Sequence, residues 1–282
     1  MKDILFLLIN YKNKTEIVDF ICHIKKLLKE DNIDYSIIVS DNSSDKKEFD
    51  YLNNLYKADN NVYINDTGEN LGYLKGAYNG YNYFFDKLKQ QAKWVFVCNT
   101  DLKLENNFFK VFMSKYFYHN LIIAPNIELK SSGIHQNPFM RKRPSKISFS
   151  FRLIIMKYPI LYIIYKNLFS QIWLKIKDKL KNKSNDFKNK ENNYIYAAHG
   201  SFCLLPLIFF ERKCTLNYFN FLFGEEIFIA EQAKENNIKI QLCNDLKVIH
   251  NENQTTSGVN DSKIAFFNYL SLKELKKRYF FK

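Results

Sequence analysis

Apolar residues follow two alternating rhythms along this chain. Ile4-Leu5-Phe6-Leu7-Leu8-Ile9 is an unbroken run, the pattern of a strand buried on both faces. Residues 15–30 then set Ile17, Phe20, Ile21, Ile24, Leu27 and Leu28 at helical spacing. The pair of rhythms repeats. A strand at Tyr35–Val39 closes on the turn-forming Ser40-Asp41-Asn42-Ser43-Ser44, and a helix over Lys46–Tyr56 follows. Then come a short strand at Val62-Tyr63-Ile64, a helix over Leu74–Leu88 and a strand at Trp94-Val95-Phe96-Val97-Cys98. Strands alternating with helices predict βαβ units and a mainly parallel α/β sheet.

Beyond Asp101 the rhythm loosens. A helix near 106–118 leads to a strand at Leu121-Ile122-Ile123-Ala124 and a polar loop to about Pro144. Regular α/β character resumes at Tyr194–Leu205, with a helix over Glu225–Asn236 and strands at Ile238–Leu242 and Lys247–Ile249. An amphipathic helix over Ser262–Phe281 follows. The expected organisation is an α/β half over 1–130, a loop and helical insertion over 131–193, a second half of the same domain over 194–260, and a helix over 261–282. No internal repeat interrupts it. The stretch from Lys181 to Asn193 is polar, low in complexity and reads as a linker.

Charge changes this picture in one place. The net charge of +13 is concentrated between Arg141 and Lys183, where twelve Lys or Arg face the single acid Asp178, giving +11 and leaving +2 for the rest. The same segment carries Ile154, Ile155, Tyr158, Ile160, Leu161, Ile163, Ile164, Leu168, Ile172, Trp173 and Leu174. It is too short in uncharged residues to span a bilayer, so the expectation is a basic, aromatic element lying on an anionic membrane surface. The competing reading is an ordinary insertion with its apolar stripe on the core.

At 282 residues, 46% hydrophobic and 25% charged, the chain reads as globular. Five scattered cysteines, Cys22, Cys98, Cys203, Cys214 and Cys243, have no metal-ligand spacing and suit reduced thiols in the cytoplasm. The N-terminal run lacks a small-residue cleavage site and reads as a first strand, and no stretch matches a membrane-spanning helix.

Candidate chemistry sits at strand ends and helix starts. Asn99-Thr100-Asp101 follows a wholly apolar strand, where open α/β sheets bind ligands, and its oxygens suit Mg²⁺ or Mn²⁺. An ordinary capped turn would look alike. Asp41 can accept hydrogen bonds from a nucleoside, or close an Asx-turn. In Asn70-Leu71-Gly72-Tyr73-Leu74-Lys75-Gly76 the glycines admit close backbone approach to a phosphate and Lys75 offers countercharge, though loops with two glycines are common. Glu225 and Glu226 open a helix behind Phe221-Leu222-Phe223-Gly224. The helix dipole alone favours acids there, and either can serve as a general base. His250 ends a strand and is either structural or a nitrogen ligand beside a metal. His199-Gly200 suggests tight backbone approach to substrate, and His135 has no assigned role.

Tyr11, Ser40-Asp41-Asn42-Ser43-Ser44, Asn70-Leu71-Gly72-Tyr73, Asn99-Thr100-Asp101, Gly200-Ser201-Phe202, Phe223-Gly224-Glu225-Glu226 and Val248-Ile249-His250 resemble, in order and spacing, the rhamnosyltransferase-like branch of family 2 glycosyltransferases. The resemblance covers residues 3–115 and 194–255 and skips the basic middle. It implies a GT-A fold, a dTDP- or UDP-sugar donor, a glycan or lipid-linked acceptor and inversion at the anomeric carbon. By position, Asp41 would meet the nucleoside and Asn70 and Gly72 the diphosphate, with Tyr11 and Lys75 among the candidate nucleotide-sugar-binding residues. Asp101, with Asn99 beside it, would hold the metal, His250 would stand near it, and His199 and Gly200 would line the sugar pocket. The family has Asp where Glu226 stands, so the base lies between Glu225 and Glu226. Its second Asn after Asn-Leu-Gly is replaced by Tyr78. The setting implied is bacterial surface polysaccharide or lipopolysaccharide assembly on the inner face of the membrane.

Two other classes fit less well. A nucleotidyltransferase would carry a glycine- and Lys/Arg-rich signature after the first strand, where this chain has Asn10-Tyr11-Lys12-Asn13. A nucleic-acid-binding protein would spread its basic residues or show a known motif, and this chain does neither. A transferase-like fold without activity would not be expected to keep both Asp101 and the Glu pair.

Overall fold

The computed structural model describes residues 1–168, 193–251 and 260–281. The βαβ rhythm holds through its first half: β1 (Lys2–Asn10), α1 (Lys14–Glu30), β2 (Tyr35–Asp41), α2 (Lys46–Tyr56), β3 (Val62–Asp66), α3 (Tyr73–Asn82) and β4 (Ala92–Cys98). A π-helical turn, Tyr83–Lys87, extends α3 to where the sequence placed its end. The Asn70–Gly76 stretch is shorter as a loop than expected. Helix α3 already begins at Tyr73, so Lys75 and Gly76 lie on its first turn.

The second half adds β5 (Leu102–Leu104), α4 (Phe108–Lys115), β6 (Ile122–Leu129), α5 (Lys146–Lys157) and α6 (Pro159–Leu168). Then follow β7 (Tyr194–Ile195), β8 (Phe202–Pro206), α7 (Leu207–Glu211), α8 (Glu225–Glu235), β9 (Ile240–His250) and α9 (Asp261–Leu275). The two late strands expected from the sequence are one. Asn244, Asp245 and Leu246 bulge out of β9 where its register against β6 jumps from Pro125↔Cys243 to Asn126↔Lys247. The bulge gives Asp245 a use on the surface, accepting hydrogen bonds from Lys115 Nζ and the Tyr116 hydroxyl. Neither β5 nor α7 was evident in the sequence.

Nine strands form one sheet in the order β3-β2-β1-β4-β8-β6-β9-β5, with β7 also paired to β9. Strands β1–β4, β6 and β9 run one way and β5, β7 and β8 the other, so the sheet is mostly parallel with antiparallel joins. Strand β8 wedges antiparallel between β4 and β6, and so ties the two halves of the chain into one sheet.

The unbroken apolar strands are explained by what covers them. Ile4, Phe6 and Leu8 of β1 and Trp94, Phe96 and Cys98 of β4 face a layer containing α1 and α4. Leu5, Leu7, Val95 and Val97 face the opposite layer of α3, α8 and α9. A strand with helices on both faces has no room for polar alternation. On the second face α3 approaches closely because it is small there. A Cβ on Gly80 would lie 2.7 Å from Ser40 Oγ, and one on Gly76 3.0 Å from Asn42 Nδ2. Gly76 therefore serves helix–sheet packing rather than a phosphate.

Candidate active site

Strands β1, β2 and β4 point their C-terminal ends the same way, and the first half of the site forms along that edge. Asn10 and Asp41 are register partners there. Asp41 is buried, and its carboxylate accepts from Asn10 Nδ2 at 2.9 Å, Ser43 N at 3.1 Å and Ser43 Oγ at 3.0 Å. Burial pushes its pKa up, and those donors partly offset the rise. The Asx-turn reading of Asp41 is thus met in full. Asn42 extends the turn, its Nδ2 donating to Gly72 O at 2.9 Å.

The Asn-Leu-Gly segment closes on itself in the same manner, Asn70 Oδ1 accepting from Gly72 N at 3.0 Å. Gly72 is left-handed, φ 81°, and a Cβ there would stand 2.0 Å from the Phe221 carbonyl oxygen. The close approach this glycine permits is to the loop ahead of Glu225. Lys75 is exposed on α3, and Tyr11, 39% exposed, lies beside Lys12 Nζ.

Asp101 follows β4 by three residues. Thr100 turns toward α1, its hydroxyl donating to Glu16 at 2.6 Å, and Asn99 N donates to Ser201 O at 2.8 Å. Strand β5 runs antiparallel to the end of β9, and Asn251 N donates to Asp101 O at 2.8 Å. That pairing explains how His250, distant in sequence, arrives with Nε2 3.0 Å from Asp101 Oδ2. The other ring nitrogen, Nδ1, meets Gln136 Oε1 at 2.7 Å. His250 is thus held between Gln136 and Asp101. The other oxygen of Asp101, Oδ1, is buried without a hydrogen-bond partner. An orphaned carboxylate oxygen beside an imidazole nitrogen fits a divalent cation. Among the described residues no three His, Cys, Asp or Glu side chains gather into a complete metal site. Two protein ligands suit Mg²⁺ or Mn²⁺, which keep waters and take substrate phosphate oxygens.

The second half of the site comes from the β7–β8 connection and the start of α8. His199 Nδ1 lies 2.8 Å from Ser201 Oγ and accepts from Ser201 N at 3.2 Å, while His199 N donates to Asn137 Oδ1 at 2.7 Å. Burial, with His250 nearby, pulls the pKa of His199 down to about 4, so its ring is neutral and keeps Nε2–H as a donor. The His199 and His250 rings are 6.4 Å apart.

Helix α8 is aimed by two consecutive left-handed residues, Phe223 (φ 67°) and Gly224 (φ 85°). The Phe223 carbonyl accepts from the Tyr218 hydroxyl at 2.7 Å, and a Cβ on Gly224 would lie 2.8 Å from that hydroxyl. The chain therefore enters the helix with both carboxylates turned inward. Glu226 Oε1 lies where a Cβ on Gly200 would be 3.1 Å away, so Gly200 makes room for this carboxylate. Burial raises the pKa of both glutamates, and their mutual repulsion adds to the rise at Glu225. Glu225 is 8% exposed and Glu226 less buried.

Two participants escaped sequence reasoning. Gln136 is an unremarkable residue in a polar loop, without any local signal. Tyr73 stood beside Gly72 in a quoted motif but had no role. Its buried hydroxyl has no hydrogen-bond partner, and burial raises its pKa.

No family model matches the chain. Its architecture is nevertheless that of the GT-A glycosyltransferases. The chain is similar in fold to GalNAc-T7, crystallised with UDP, GalNAc and Mn²⁺, with a TM-score of 0.59 at 10% identity, over 97% of this chain and 48% of that one. It is likewise similar to residues 1–349 of S. aureus TarS in complex with UDP-GlcNAc, with a TM-score of 0.54 at 10% identity, over 99% and 68%. This chain spans about half the length of the GalNAc-T7 chain. In sequence it is similar to the low-salt glycan biosynthesis hexosyltransferase Agl10 of Haloferax volcanii, 26% identical over 253 residues, which are 89% of this chain and 68% of that protein.

Proposed function

We propose that this chain is an inverting glycosyltransferase, moving a hexosyl or deoxyhexosyl unit from a UDP- or dTDP-sugar to a saccharide or lipid-linked acceptor in surface-polysaccharide or lipopolysaccharide synthesis. The observation that carries the reading is the unpartnered Asp101 Oδ1 beside His250. The fold neighbours bound to UDP and UDP-GlcNAc, and the hexosyltransferase relative, support the same class. The quoted motifs support the family 2, rhamnosyltransferase-like assignment.

Asp101 and His250 would hold Mg²⁺ or Mn²⁺, with Asn99 beside them. When bound, such a cation offsets the charge that develops on a departing nucleoside diphosphate. His199 Nε2–H donates to a sugar oxygen. Asp41 and Tyr11 meet the nucleoside, and Asn70, Gly72 and Lys75 border the diphosphate. Glu226, the more accessible carboxylate, takes the proton of the acceptor hydroxyl. The acceptor oxygen then bonds to the anomeric carbon as the bond to the diphosphate breaks on the opposite face. One displacement inverts that carbon without a covalent enzyme intermediate.

Thermal melting in a panel of nucleotide sugars is the direct test. A UDP- or dTDP-sugar is expected to raise Tm in the presence of Mn²⁺ and to lose that effect with EDTA. A panel in which nothing shifts Tm, or in which shifts ignore EDTA, overturns the reading.

Gln136 has its own expected result. A second partner that orients a ligating imidazole typically accounts for about 10- to 100-fold in metal affinity. Gln136→Ala should weaken Mn²⁺ binding by that factor, measured by titration calorimetry with UDP present, and Gln136→Asn should recover little because its arm is shorter. Unchanged Mn²⁺ affinity would show that Gln136 does no more than pack.

A further inference from the structure

Exposed large apolar side chains cluster on α5 and α6. Ile147 (84% exposed), Phe151 (62%), Ile154 (52%) and Tyr158 (50%) follow the spacing i, i+4, i+7, i+11 along one face of α5 and into the bend. Phe149 on the opposite face and Ile155 on the flank are buried, so the helix is anchored to the body with an apolar stripe turned outward. Helix α6 continues the surface with Ile160 (73%), Ile164 and Leu168. The core-packed insertion is therefore half of the story, since one stripe packs and the other does not.

The surroundings identify what covers it. From Arg141 to Leu168 there are seven Lys or Arg and no acid. Among them, Arg143 is paired with Glu231, Lys166 with Asp261, and Lys146 lies over the Phe281 ring. Lys146 and Lys157 stand at the two ends of α5 and are exposed. Exposed apolar side chains fringed by one sign of charge match the boundary of an anionic bilayer, with rings and aliphatic chains below the headgroups and ammonium groups among them. A protein partner would have to supply a matching acidic, apolar face, which a lipid surface provides without specific design.

No single helix among the described residues is long and apolar enough to span, and α5 and α6 reach that length and hydropathy only as a pair bent by 114°. A path through the bilayer would also carry Lys157, at the bend, to its deepest point. We infer that α5–α6 lies in the interface of an anionic membrane and holds the enzyme on it as a peripheral protein. The inference deepens the transferase reading by pointing to a lipid-linked acceptor. The route to the site is short: Phe149 stacks on Phe280 with centroids 4.0 Å apart, α5 packs on α9, and Ser271 of α9 donates to Leu222 O ahead of the Glu pair. The basic run Lys175–Lys183 and the apolar Ile172, Trp173 and Leu174 lie outside the described residues.

Co-sedimentation of the full chain with vesicles tests this without any nucleotide sugar, so its outcome is independent of whether the transferase reading holds. The chain should sediment with phosphatidylglycerol–phosphatidylcholine vesicles at low salt, and much less with phosphatidylcholine alone. The triple variant Lys146→Gln/Arg152→Gln/Lys157→Gln should lower the partition coefficient roughly a hundredfold. Ile147→Ser/Phe151→Ser/Ile154→Ser, all at exposed positions, should lose binding while melting as the wild type does. No sedimentation with anionic vesicles at low salt overturns the inference, as does binding that neither variant changes. Vesicle-free self-association that the Ser variant abolishes would instead make this face a contact between copies of the chain.

Discussion

Asp101→Asn should reduce turnover by at least about 10²-fold, the scale on which removal of one transition-state electrostatic contact is felt. The substitution keeps the shape of the side chain but removes the charge that the orphaned Oδ1 would offer a cation. The fold should survive, because the strand before it is fixed by both apolar layers and not by this carboxylate. The expected signature is threefold: sugar transfer collapses, Tm without ligand stays near the wild type, and the Mn²⁺-dependent shift with UDP disappears. Normal transfer by Asp101→Asn, or by wild type freed of metal with EDTA, would show that no cation works here.

The glutamate pair gives the second large effect. Glu226→Gln should lose about 10² to 10⁴ in rate, the usual contribution of a general base, while still binding the donor nucleotide. Glu225→Gln should behave differently. Burial disfavours the charge of both glutamates. Burial and the neighbouring Glu226 push Glu225 up to about 8, so it is the protonated member of the pair at neutral pH, and Glu225→Gln should leave the acid limb of the kcat/KM profile nearly in place. Stability carries the opposite sign. A carboxyl whose pKa is raised on folding stabilises the fold fully below its unfolded value and loses that contribution as pH rises through the folded one. Each Glu→Gln variant should therefore gain Tm over wild type at alkaline pH and not at acid pH. Near-wild-type turnover in both variants would move the base elsewhere.

The sequence reading succeeded where one local rule decided the outcome. Strands such as β1 and β4 are apolar throughout because helices cover both faces, and that run is visible in the residues themselves. Asp101 and the Glu pair were placed by their neighbours, one at the end of such a strand and the other at a helix start. The failures arose where long-range pairing decides. Strand β5 has only Leu102, Lys103 and Leu104, too few to show a period, and exists because β9 pairs with it. Polar Asn244 and Asp245 read as a break between strands, whereas the sheet absorbs them as a bulge. Gln136 reaches His250 across 114 positions, a contact that no local pattern encodes. Asp41 shows the limit from the other side. Both readings of it were open, and the Asx-turn is the one its hydrogen bonds display.

The contact of Gly72 with the Phe221 carbonyl has a consequence for engineering. The segment 70–73 and the segment 221–226 come from opposite halves of the chain, yet there is no space between them for even one methyl group. A donor-recognition loop taken from another transferase would bring its own backbone path to this point and collide with, or detach from, the turn that aims Glu226. Under the proposed transferase reading, the two segments are exchangeable only as a matched pair, and a chimera that swaps one alone would disturb the placement of Glu226.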